Sequence, residues 1–67
     1  AELGQMLVMN AGSALTVLPD LAPAYFIRAW GSYLLDSADP TIKADLQKAV
    51  ELAPDDALYA EALAMWP

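Results

Sequence analysis

The chain has 67 residues, 58% of them hydrophobic and 18% charged; that length allows one small domain, with a core near the limit of what offsets chain entropy. Nine acidic residues against three basic ones give a net charge of -6, which disfavours nucleic acid and anionic membrane surfaces as partners. Cysteine and histidine are both absent, which removes disulfides, thiolate nucleophiles, imidazole bases and the usual zinc ligands.

Leu3, Leu7, Ala11, Ala14 and Leu18 recur at helical spacing and predict a first helix over residues 2–18, ended by Pro19-Asp20. Ala1-Glu2 lacks the positive start of a secretory leader, so none is expected. No membrane span is expected either, because the apolar run from Met6 to Leu18 is broken by Asn10, Ser13 and Thr16 and falls short of the roughly 20 residues a span needs. Pro23 suits the first turn of a second helix running through Trp30 to Leu35. Asp36-Ser37-Ala38-Asp39-Pro40 reads as a turn, with Asp39 as a cap and Pro40 opening a third helix over residues 40–52. Asp39 and Lys43 stand four apart in the favourable order for a helix. Ala53-Pro54 ends that helix, and Asp55-Asp56 supplies a cap and negative charge for a fourth helix reaching Trp66. No strand pattern competes, so the expected fold is all-α.

The chain also repeats itself. With a shift of 35 residues, Ala14, Pro19, Asp20 and Ala22 fall on Ala49, Pro54, Asp55 and Ala57, while Leu7, Leu15 and Val17 fall on Ile42, Val50 and Leu52. Each copy is the end of a helix, a Pro-Asp turn and the start of another helix, the content of a helix-turn-helix solenoid with a period of about 34 residues. The small Ala14 and Ala49 are expected at close helix crossings.

The stretch from Ala44 to Ala57, ADLQKAVELAPDDA, resembles the second helix and inter-repeat turn of a tetratricopeptide repeat, with Ala49 as the small crossing residue and Pro54 as the turn proline. Ala14 to Ala22 resembles the same junction one repeat earlier, with Leu7, Ala11 and Ala14 facing inward. The resemblance implies one full repeat flanked by two half repeats: four antiparallel helices in a short solenoid over residues 1–67, as a single domain or a fragment of a longer array.

Two registers compete for the second helix. In the first, Ile27, Trp30-Gly31 and Leu34 face inward and the resemblance places a partner-binding groove at Tyr25, Arg28, Ser32, Leu35 and Asp36. In the second, counted from Pro19, Tyr25, Arg28-Ala29 and Ser32 face inward and Arg28 is buried. The cost of burying a charge with no known partner favours the first. In the fourth helix, Ala60, Leu63 and Ala64 take the inward positions by resemblance.

Trp30, Phe26 and Tyr33 could form an aromatic ligand-binding face, but aromatic residues at helical spacing are most often core; Trp30 reads as core, and Phe26 and Tyr33 are divided between the two. Met6, Met9, Phe26, Tyr33, Met65 and Trp66 form an apolar association face, because the outer helices carry no polar capping surface. The carboxylate pairs Asp36/Asp39 and Asp55/Asp56 read as helix caps rather than as a metal or acid-base site, so no cofactor or metal is expected. Asp36-Ser37 is similar to the attachment point of an acyl carrier protein, but Ala38-Asp39-Pro40 stands where that family has an apolar residue and a helix. The expected function is a non-catalytic interaction module with a protein or peptide partner, by self-association or docking in an assembly. The alternatives are a structural subunit buried in a larger complex and, more remotely, a carrier modified at Ser37.

Overall fold

Proline and aspartate divide the chain into four helices. The computed structural model describes residues 2–66 and contains α1 (Glu2–Val17), α2 (Ala22–Leu35), α3 (Thr41–Leu52) and α4 (Ala57–Met65), with no strand among the described residues. Ala1 and Pro67, the ends of the expected 1–67 unit, lie outside the described residues, as does the Ala1 of the leader reading.

Side-chain carboxylates start the later helices. Asp39 Oδ1 accepts the Thr41 backbone N–H at 2.9 Å and the Thr41 hydroxyl at 2.8 Å. The backbone hydrogen bond, helped by the hydroxyl, holds the Asp39 carboxyl below its ordinary pKa. Asp39 thus serves Thr41 rather than pairing with Lys43. Asp56 Oδ1 accepts the Leu58 N–H at 3.0 Å at the start of α4, and Asp36 Oδ1 accepts the Ala38 N–H at 3.0 Å inside the turn. Pro23 stands in the first turn of α2, where a missing N–H costs nothing.

Consecutive helices pack antiparallel, joined by short turns. Gly4 near the start of α1 meets Gly31 near the end of α2, Arg28 of α2 meets Asp45 of α3, and Ile42 and Leu46 of α3 pack with Leu63 and Trp66 at the end of the chain. The molecule is a plate of 31 × 29 × 16 Å. Its interior has two linked clusters. In one, Ala22, Ala49 and Tyr59 are buried beneath Tyr25, Phe26 and Val50. In the other, Ala29, Ile42 and Leu46 are covered by Phe26, Ala62, Leu63 and Trp66. Phe26 bridges the two.

α2 is unusual in burying its small residues and exposing its large ones. Ala22, Ala24, Ala29, Gly31 and Ser32 are buried, whereas Ile27, Trp30, Tyr33, Leu34 and Leu35 are exposed. The cause is that α2 has a neighbour on two sides. Gly31 lies against Gly4, Leu7 and Val8 of α1, while Ala29 packs with Ile42 and Leu46 of α3. Close approach of three helices requires little more than a hydrogen or a methyl at the crossings.

This overturns the preferred register. Trp30 is 56% exposed, and Ile27 and Leu34 are exposed with it, while Ala29 and Ser32 point inward as the count from Pro19 has them. Arg28 is tolerated between α2 and α3 because Asp45 receives it. Its Nε and Nη2 donate to Asp45 Oδ2 and Oδ1 at 3.0 and 2.9 Å. The hydrogen bonds to Asp45 raise the guanidinium pKa against the opposing effect of burial.

α4 is also turned relative to the expected inward set. Ala60 and Ala64 are exposed and Leu63 is half-buried, while Tyr59 is the buried residue, seated with Ala22 and Ala49. A ring at position 59 reaches that junction where the methyl of Ala60 would leave a void. In α1, Ala11 is buried and Leu7 and Ala14 are half-buried, but the tightest crossing is at Gly4 rather than at Ala14. Ala49 is fully buried.

Candidate functional site

The open face of α2 looks toward α4. Phe26 stacks on Tyr59 with ring centroids 5.1 Å apart, and Tyr33 meets Trp66 edge-on at 5.4 Å. Both pairs are 33 residues apart, so α2 and α4 run parallel, with two aromatic rungs seven residues, or about two turns, apart. Between the rungs α4 offers only the methyl of Ala62, and the missing bulk leaves a hollow. It has a volume of about 250 Å³, with Trp30, Tyr33 and Trp66 as walls and Ala29, Ile42 and Leu46 as floor. The hollow opens onto a wider shelf of about 630 Å³ edged by Ser37, Leu58, Glu61 and Met65.

This lining is apolar and contains no charged group in the inner hollow. Its chemistry is burial of an apolar side chain, worth about 1.5–3 kcal/mol for a full Leu-sized group. Aromatic walls add edge and face contacts. Among the described residues no three His, Cys, Asp or Glu side chains converge as a metal site, and no helix is long and apolar enough to cross a membrane.

This hollow lies on a different side of α2 from the residues that the resemblance assigns to a groove. Tyr25, Arg28, Ser32, Leu35 and Asp36 do not line it. Ser32 is buried, Arg28 is paired with Asp45, and the Tyr25 hydroxyl donates to the Pro19 carbonyl at 2.9 Å, with the Arg28 guanidinium 5.3 Å from the Tyr25 ring centre. Leu35 stands beside Gly4 of α1, and Asp36 ends the helix.

The six residues of the expected association face divide. Met6, Met9, Tyr33 and Met65 are exposed, whereas Phe26 and Trp66 are half-buried against the core clusters. Tyr33, Phe26 and Trp66 belong to the groove, with Met65 on its shelf, while Met6 and Met9 lie on α1. Trp30, which reads as core from the sequence, stands in the wall of the hollow, and Ala62 carries no sequence signal of its own. The available signal was the pairing of large aromatic residues on α2 and α4 with one alanine between Tyr59 and Trp66. Ser37 lies in the turn after α2 at the edge of the shelf, four residues before α3 begins.

No family model, curated protein or solved structure matches the chain.

Proposed function

We propose that the chain is a non-catalytic protein-protein interaction module of tetratricopeptide type, acting as a scaffold or adaptor through the groove between α2 and α4. The observation that carries this reading is the apolar hollow between Trp30 and Trp66, held open by Ala62. A concave, aromatic-walled site with a floor of buried core residues suits an anchor side chain from a partner. The sequence repeat and the consecutive antiparallel packing of the helices support the repeat type.

The test is affinity capture from a cell extract with the wild-type chain and Ala62→Leu as baits. The added side chain fills the hollow from a half-buried position. A specific partner is expected on the wild type and is expected to be lost from Ala62→Leu while helix content by circular dichroism is kept. Identical captures would sink the groove as the interaction site.

A second reading, a structural subunit of a larger assembly, is favoured by the outer surface of α1. Leu3, Met6 and Met9 are exposed there on one helix, with Leu3 reaching the outer side of Phe26 and Trp30. Exposed apolar faces of this kind seek cover. Sedimentation equilibrium of the purified chain at micromolar concentration is therefore expected to show self-association, weakened by Met6→Lys with Met9→Lys. A folded, cooperative monomer would remove this second reading.

A further inference from the structure

The groove between α2 and α4 has a sign as well as a shape. α2 has one charged residue, Arg28, and it turns away from the groove to Asp45 of α3. α4 also has one, Glu61, and it lies on the shelf beside Leu58 and Met65. Of the two lysines, Lys48 is within 3.5 Å of Glu51, and Lys43 stands beyond Trp66 together with Asp39. Asp55 and Asp56 precede α4 and Asp20 precedes α2, so acids flank the end at which both parallel helices begin. Asp36 flanks the other end. The shelf thus carries one carboxylate, Glu61, and no basic side chain, in a chain of net charge -6.

We propose that the groove receives a cationic segment of another protein, which inserts a bulky apolar side chain between Trp30 and Trp66 and sets Lys or Arg against Glu61. This rests on the interaction-module reading above and adds the chemistry of the partner. A second copy of the chain is the poorer occupant. Its exposed apolar helix, α1, has no basic residue to meet Glu61, and bringing two chains of charge -6 together costs repulsion. Opposite charge at the rim adds encounter rate and selectivity, and the apolar anchor adds residence time.

The two tryptophans of the chain both line the hollow, so their emission reports its occupancy. The experiment titrates the full chain with two synthetic helical peptides that share one leucine stripe, one carrying lysine and the other glutamate on the polar face. The lysine peptide is expected to shift the emission to the blue in a saturable way that weakens with salt, and the glutamate peptide is expected to leave it unchanged. Ala62→Leu should abolish the shift. Glu61→Lys, an exposed change that leaves the core intact, should weaken the lysine peptide about three- to ten-fold. Equal binding of both peptides overturns the cationic preference while leaving an interaction groove standing, whereas binding of neither overturns the groove itself. Lysine-peptide binding that ignores both substitutions is adsorption outside the groove and overturns the proposal. So does a blue shift produced by raising the concentration of the Met6→Lys/Met9→Lys chain alone, in which the α1 face is blocked and a second copy is left only the hollow.

Discussion

Replacing Arg28 with Ala is expected to destabilise the fold by about 2–3 kcal/mol, more than Trp30→Ala does. The reason lies in what is left behind. Asp45 is only 6% exposed, and without Arg28 its carboxylate loses both of its side-chain hydrogen bonds. Removing one member of a fully buried pair costs about 3–5 kcal/mol, and the 34% exposure of the Arg28 side chain lets water screen part of that. Trp30 already gives much of its surface to water, so its truncation loses about 1–2 kcal/mol of burial and ring contact with Phe26. For a domain of this size, with roughly 3–5 kcal/mol in hand, Arg28→Ala approaches unfolding at room temperature. The double change Arg28→Met with Asp45→Leu should recover most of the loss, because an apolar pair of similar volume needs no solvation. Urea denaturation followed by circular dichroism checks the ranking. An Arg28→Ala chain as stable as wild type, beside a Trp30→Ala chain that unfolds, would make Ile27, Trp30 and Leu34 the true packing stripe.

The helix boundaries were legible because their chemistry is local. Pro19-Asp20, Asp39-Pro40 and Pro54-Asp55-Asp56 each act on the backbone within a few residues, and the helices stop and start there. The facing of α2 was not legible in the same way. A single apolar stripe describes a helix with one neighbour, and α2 has neighbours on two sides, so the size of a residue counted for more than its hydropathy. One signal was present in α3. Ile42, Leu46 and Ala49 form its inward stripe, and Asp45 stands among them at helical spacing. A carboxylate on a packing face asks for a cation from a facing helix, and Arg28 lies at about the matching height on an antiparallel α2. The partner that makes a buried Arg28 tolerable thus comes from a different helix. The groove needed still more context, since its hollow exists only when two parallel helices set Ala62 opposite Trp30, between Tyr59 and Trp66.

The second large effect is expected at the crossing of α1 and α2, where two glycines bring the backbones together. A Cβ at Gly31 would lie 2.8 Å from the Gly4 carbonyl oxygen and 2.9 Å from both Leu7 Cβ and Val8 Cγ2. A Cβ at Gly4 would lie 2.9 Å from the Gly31 carbonyl oxygen and the same distance from Leu35 Cγ. The nearest obstacles are backbone oxygens, which cannot turn aside as a side-chain end can, so the helices must separate. No glycine among the described residues has positive φ, and the requirement is therefore one of space alone. Overpacking costs about 1–3 kcal/mol, and alanine returns up to about 1 kcal/mol of helix propensity, leaving Gly31→Ala destabilised by about 1–2 kcal/mol. Gly31→Leu should exceed the roughly 3–5 kcal/mol available to so small a domain and leave the chain unfolded. Gly12 supplies the control on the partner helix α1, because a Cβ there meets nothing within 4 Å. Gly12→Ala is accordingly expected to raise stability by about 0.5–1 kcal/mol through propensity alone. Thermal melts of the three variants check the argument: if Gly31→Ala gains stability as Gly12→Ala does, the α1–α2 crossing is looser than the Gly4–Gly31 approach requires.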